Sequence, residues 1–184
     1  MNGRVFAATA ALVTAALGTP SQATAGDLLA GVLAHNADLG ITTCCSESGT
    51  VDVQFGYRTL PIRSLRRFGD IRAHVLGEVN TAGGTNFVAV GLSYRFTFAR
   101  DFYVAPGLGA AIQDGGTEQF QARPDRLSLG SRVLFEPELT AGWHATDRLS
   151  VEFHYNHLSH GQLAGAQNPG VDNLGLRLAY RVGS

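Results

Sequence analysis

An all-β fold, an eight-stranded antiparallel outer-membrane β-barrel, is the architecture that this 184-residue chain predicts. Apolar and polar residues alternate with a period of two in one segment after another, the pattern of strands whose successive side chains face opposite ways. The polar partners in that alternation mix acids and arginines with glycine. That mixture suits the filled interior of a small barrel, where opposite charges pair. An export signal precedes the alternating region.

The signal reads Arg4 as a positive start, Val5 to Leu17 as an apolar stretch and Ala23-Thr24-Ala25 as a small-x-small cleavage site. The apolar stretch is too short to span a bilayer, and Pro20 lies just beyond it. Residues 1–25 are therefore expected to be a signal peptide removed after Ala25, leaving one domain, the barrel, over 26–184.

Composition narrows the class. Charged residues make up 16% of the chain, the net charge is −1, lysine is absent and all 14 basic residues are arginine. No basic face argues for nucleic acid, and no apolar run approaches the roughly 20 residues of a spanning helix. Cys44 and Cys45 are adjacent in a polar segment. Two loop thiols of no special role are expected there rather than a strained vicinal disulfide. No CxxC or HExxH spacing occurs and the histidines are scattered, so neither a metal nor an organic cofactor is expected.

The strands follow in order. The first runs near Leu28 to His35. The second alternates Val51, Val53, Phe55 and Tyr57 with Asp52, Gln54, Gly56 and Arg58. The third sets Ile71, Ala73, Val75 and Val79 against Arg72, His74 and Glu78; the fourth sets Val88, Val90, Leu92, Tyr94, Phe96 and Phe98 against Ala89, Gly91, Ser93, Arg95 and Thr97. Phe102, Val104, Leu108 and Ile112 mark the fifth. Val133, Phe135, Leu139 and Trp143 mark the sixth, against Arg132, Glu136, Glu138 and Thr140. Leu149, Val151, Phe153 and Tyr155 lead to His157 in the seventh, and Leu174, Leu176, Leu178, Tyr180 and Val182 form the eighth.

An apolar row on so many strands fits lipid outside better than the core of a soluble lipocalin-like barrel. Aromatic residues near strand ends, Phe96, Phe98, Phe102, Trp143, Tyr155 and Tyr180, fit interfacial girdles. With the amino end in the periplasm, short turns at Ala99-Arg100 and Ala145-Thr146 fall inside, and longer segments near Cys44, Gly115 and Gly165 fall outside. The Pro61 to Asp70 turn is long for the inner side. Pro106 and Pro137 each remove a ladder hydrogen bond, and local bulges are expected to absorb them.

The chemistry lies in the last hairpin, residues 147–182. His157 and Ser159 share parity with the apolar row, and Asp172 shares the parity of Leu174 and Leu176. All three groups then project toward lipid, where polar residues are costly at depth. A serine nucleophile needs a base within reach, and the base needs a third group to hold its tautomer. Ser159, His157 and Asp172 supply those roles if the last two strands pair. Backbone amides at His160-Gly161 and the Asn168 side chain are the candidate oxyanion donors.

The run His157-Leu158-Ser159, followed by Gly161, Leu163, Asn168-Pro169-Gly170, Asp172, Leu174-Gly175-Leu176-Arg177 and Tyr180-Arg181, resembles the lipid A 3-O-deacylase (PagL, acyloxyacyl hydrolase-like) family. The resemblance is strong over 147–182; upstream it rests on the export signal and the strand count. It implies an eight-stranded outer-membrane barrel that removes the acyl chain ester-linked at position 3 of lipid A. It also implies Ser159 as nucleophile, His157 as base and Asp172 as the acidic partner, where glutamate is usual. His160 stands where asparagine is common. The chain ends Arg181-Val182-Gly183-Ser184 rather than on an aromatic, leaving Tyr180 to serve as the assembly signal.

The function expected on these grounds is a serine esterase of the bacterial outer membrane, acting on lipid A of lipopolysaccharide in the outer leaflet and releasing a 3-hydroxy fatty acid. Two alternatives stand beside it: a non-enzymatic structural or adhesive barrel, and an esterase acting on phospholipids. The oligomeric state has no sequence signal.

Overall fold

The computed structural model describes residues 25–39, 46–118 and 126–183. In them the alternating segments form eight strands: β1 (Gly26–His35), β2 (Thr50–Thr59), β3 (Ile71–Asn80), β4 (Phe87–Tyr94, resuming as Phe96–Thr97), β5 (Phe102–Gln113), β6 (Val133–His144), β7 (Leu149–Leu158) and β8 (Val171–Val182). Each strand pairs antiparallel with its sequence neighbours, and β1 pairs with β8, with Leu28 opposite Tyr180. The sheet therefore closes on itself and leaves no unpaired edge among these strands. The signal peptide up to Thr24 and the Cys44-Cys45 pair lie outside the described residues.

Parity sorts the side chains as period two requires. On β2, Phe55 is 63% exposed while neighbouring Gln54 is wholly buried. Val32, Val90, Ile112 and Leu176 likewise face out, and His154, Arg177 and Glu78 face the lumen. Phe96, Phe98, Phe102, Trp143 and Tyr180 form an exposed aromatic band at the end bearing the short turns, with Phe102 directly opposite Trp143. At the same end, Pro61 to Asp70 contains an exposed 3₁₀ turn over Arg63–Phe68.

The lumen is filled in layers. At the turn end, Asp27 draws in Arg58, Arg72, Arg95 and Arg181. Higher up, Glu152 accepts from Arg58 at 2.6 Å, from Arg177 at 2.7 Å and from the Tyr103 hydroxyl. Such charge-assisted bonds offset the cost of removing these ions from water. Glu78 is held instead by three amides, Gln54, Asn156 and Asn173. At the loop end, Leu76, Phe87, Leu134, Leu158 and Val171 pack with Leu127 and Leu129, folded in from the β5–β6 loop, to form an apolar plug.

Three details differ from the sequence expectations. Arg132 lies just before β6, exposed, with its guanidinium on the carbonyls of Gln113 and Gly115 rather than in the lumen. The β5–β6 register runs unbroken through both prolines, Pro106 opposite Leu139 and Pro137 opposite Leu108, with no bulge. Their missing N–H groups act on the other neighbours. The β4–β5 register places Tyr94 opposite Pro106, and β4 is interrupted next to it, at Arg95. The β6–β7 ladder ends at Glu138–Asn156 and returns as a single bridge, Phe135–Ser159, so Pro137 falls opposite His157.

Candidate active site

The candidate site is built on the last hairpin at the loop end, on the outer wall. β7 and β8 pair from Leu149–Tyr180 to Leu158–Val171, which sets His157 directly across from Asp172. Their side chains meet: His157 Nδ1 lies 2.9 Å from Asp172 Oδ1. A carboxylate has no proton to give, so Nδ1 carries the hydrogen of this bond. Asp172 is completely buried, whereas the His157 side chain retains 20% of its exposure. The shorter aspartate reaches because the register places it opposite the histidine with no diagonal to span.

Tyr155 adds a partner that the sequence reading treated only as a girdle aromatic. Its hydroxyl donates to the same Asp172 oxygen at 2.6 Å. The signal was its parity: two residues before His157, it faces the same side. Pro137 flanks His157 on the β6 side. Because proline has no N–H, the His157 carbonyl receives no ladder bond from it. Gly170 supports the imidazole from the returning loop. A methyl group there would stand 2.6 Å from His157 Cε1 and 3.2 Å from Nε2.

Ser159 continues the outward parity one step past β7. Its backbone exchanges two hydrogen bonds with Phe135, Phe135 N–H to Ser159 O at 2.8 Å and Ser159 N–H to Phe135 O at 3.2 Å. These fix its position on the β6 side. Ser159 itself is 7% exposed. Among the described residues its hydroxyl makes no hydrogen bond to His157.

His160 has inward parity and is buried. Its Nδ1 accepts from the Ala164 N–H at 3.3 Å, its carbonyl accepts from the Leu163 N–H at 3.1 Å, and its ring lies against Gly130. The imidazole is thus committed to closing the loop, and what His160 offers the outer wall is its backbone. Gly161 follows in the left-handed region at φ 59°, which glycine adopts without strain. Asn168 is exposed on the returning loop, and among the described residues no hydrogen bond joins it to Ser159, His157 or Asp172. The hairpin thus joins His157 to Asp172, places Ser159 beside them and leaves Asn168 apart. The one compact His/Glu group able to hold a cation among the described residues, His74 with Glu136 and Glu138, lies in the lumen and not on this wall.

The model of the family described as lipid A 3-O-deacylase (PagL) matches residues 50–181. Among solved structures, the crystal structure of the outer-membrane enzyme PagL is similar at a TM-score of 0.59 and 18% identity, covering 85% of this chain and 99% of that one. A de novo designed transmembrane β-barrel is similar at a TM-score of 0.54 and 12% identity, covering 89% of this chain and 100% of the design. At these identities the structural likeness establishes the barrel fold. Among curated proteins none matches significantly.

Proposed function

The chain belongs to the lipid A 3-O-deacylase (PagL) family, ester hydrolases of the bacterial outer membrane, and on that premise we propose that it acts as a serine esterase on the 3-O-linked acyl chain of lipid A. The observation that carries this reading is the hydrogen-bonded His157–Asp172 pair with Ser159 two residues on, all on the lipid-facing wall. A substrate held in the outer leaflet presents its esters to that wall without leaving the membrane.

The steps follow from the polarity of the pair. Ser159 Oγ attacks the ester carbonyl while His157 Nε2 takes its proton. Asp172 holds the imidazole in the Nδ1–H form and stabilises the imidazolium. The backbone N–H groups of His160 and Gly161 are the donors for the developing oxyanion, and the Asn168 side chain joins them on loop closure. Collapse breaks the bond to the sugar oxygen, which takes the proton back from His157. Water, deprotonated by His157, then cleaves the acyl-serine ester and frees a 3-hydroxy fatty acid and Ser159. The site residues need no metal or organic cofactor for these steps. The same reading places export before assembly, with the signal peptide cleaved after Ala25.

The test uses the purified barrel in detergent micelles with lipid A alone, phospholipid alone, or both. Release of 3-hydroxy fatty acid from lipid A, with phospholipid intact, is expected. A folded barrel that releases acyl chains only from phospholipid contradicts the substrate; one that releases none from either contradicts the activity.

A further inference from the structure

The charges of the lumen do not balance locally. Arg58, Arg72, Arg95, Arg177 and Arg181 all pair with Asp27, Asp70 or Glu152. Among the described residues no arginine lies within ion-pair distance of Glu136 or Glu138, although both are buried. Both oxygens of Glu136, one of Glu138 and both ring nitrogens of His74 have no hydrogen-bond partner among the described residues. An isolated buried carboxylate is costly, and two side by side more so.

His74 stands between them, with Nε2 3.6 Å from Glu136 Oε2 and Nδ1 3.6 Å from Glu138 Oε1. Both separations are too long for hydrogen bonds. Because an imidazole gives only one ring nitrogen to an ion, either separation by itself, but not both together, matches the spacing of two ligands on one ion: zinc–nitrogen and zinc–oxygen bonds of about 2.0–2.2 Å in a tetrahedron put neighbouring ligands roughly 3.3–3.6 Å apart. One donor atom from each of the three residues falls within 4.8 Å of the others. His154 does not substitute as the missing cation. Its Nε2, 3.9 Å from Glu138, faces the obligate donor Arg177 Nη1 at 3.4 Å and so presents a lone pair.

The strands between β3 and β6 leave room for the same cluster. Gly91 of β4 pairs directly with His74, and Gly109 and Gly107 of β5 pair directly with Glu136 and Glu138, so no side chain rises beside any of the three. A methyl at Gly91 would stand 2.6 Å from His74 Nε2, one at Gly107 2.7 Å from Glu138 Oε1, and one at Gly109 2.5 Å from Glu136 Oε2. We propose that His74, Glu136 and Glu138 bind one divalent first-row transition-metal cation inside the barrel, apart from the esterase site. Two carboxylates neutralise a divalent charge, and one imidazole with two carboxylates is a donor set that zinc accepts. Because the ligands come from β3 and β6, linear spacing could not reveal them.

The mature chain, refolded into detergent in chelator-treated buffer, is to be given one equivalent of zinc, cobalt or manganese, desalted and assayed for bound metal. Wild-type barrel is expected to retain about one zinc ion, and Glu136→Gln/Glu138→Gln less than a tenth of that. Zinc-edge anomalous diffraction from wild-type crystals is expected to place the ion among the three side chains, which decides the matter even if the double variant does not fold. A folded wild-type barrel that retains none of the three metals overturns the proposal, as does an anomalous peak elsewhere, such as at the turn-end His144.

Discussion

The Tyr155 hydroxyl donates to the same Asp172 oxygen that receives His157 Nδ1. One buried carboxylate oxygen thus holds both His157 and a tyrosine two residues before it. Removing the hydroxyl with Tyr155→Phe deletes one hydrogen bond to a charged group, of order 1.5–3 kcal/mol. Part of that is recovered as Asp172 keeps its histidine. Turnover is expected to fall roughly tenfold with little change in KM, read from steady-state kinetics on lipid A micelles.

Asp172→Asn keeps the shape but replaces the charge, and its amide favours the wrong imidazole tautomer. The expected loss in kcat is on the order of 10²–10⁴-fold, with the barrel still folded by heat-modifiable gel mobility. Full activity in this variant would remove Asp172 from the account while leaving Ser159 and His157 in place.

Gly170→Ala places a methyl 2.6 Å from His157 Cε1. The ring must move by several tenths of an ångström, and Nε2 with it. We expect kcat to drop by one to two orders of magnitude, given how steeply rate depends on alignment, while urea unfolding from vesicles changes little. A variant with wild-type kcat would show that the imidazole is not held where the loop leaves it.

The outer loops carry a pH dependence of their own. Glu47 sits outside the strands; burial works against its charge, but hydrogen bonds from His35, the Thr85 N–H at 2.7 Å and the Leu127 N–H at 3.0 Å outweigh it. Its carboxyl is therefore held below its ordinary value of 4.5. A depressed folded pKa means that the stabilisation is complete above 4.5 and is lost as pH falls through the lower folded value. Amide exchange at Thr85 and Leu127 is expected to accelerate on acidification through that window, and Glu47→Gln to flatten the response.

Deep in the lumen, Glu152 bridges Arg58 and Arg177, and Arg58 also reaches Asp27. Glu152→Gln leaves the buried Arg177 guanidinium without a carboxylate among the described residues, and a loss of about 3–5 kcal/mol in unfolding free energy is expected. Equilibrium unfolding in urea checks this; a change under 1 kcal/mol would mean that water enters the lumen and screens the pair.

The barrel was legible because period two is a local property. Phe55 against Gln54, or Leu176 against Arg177, is written in adjacent letters, and so is the shared face of His157 and Ser159. Asp172 required only that the last two strands pair. Cross-strand facts were not legible, because they depend on registers that no single strand encodes. The place of Pro137 opposite His157 comes from the β6–β7 register. The contact of Gly170 with the imidazole depends on a loop path, and the meeting of His74 with Glu136 and Glu138 on the registers of the two strands between them. Arg132 was misplaced because alternation was extended one residue past the start of β6, where the chain turns outward.

Opening of the 3-O ester is proposed to depend on Ser159, on the lipid-facing wall. The most direct test is mass spectrometry of lipid A from cells bearing the 3-linked chain that express wild-type or Ser159→Ala barrel, each verified as folded in the outer membrane. Loss of one 3-hydroxyacyl mass is expected with wild type, and an unchanged spectrum with Ser159→Ala. Unchanged lipid A with folded wild type, or equal loss with both, would contradict the proposal.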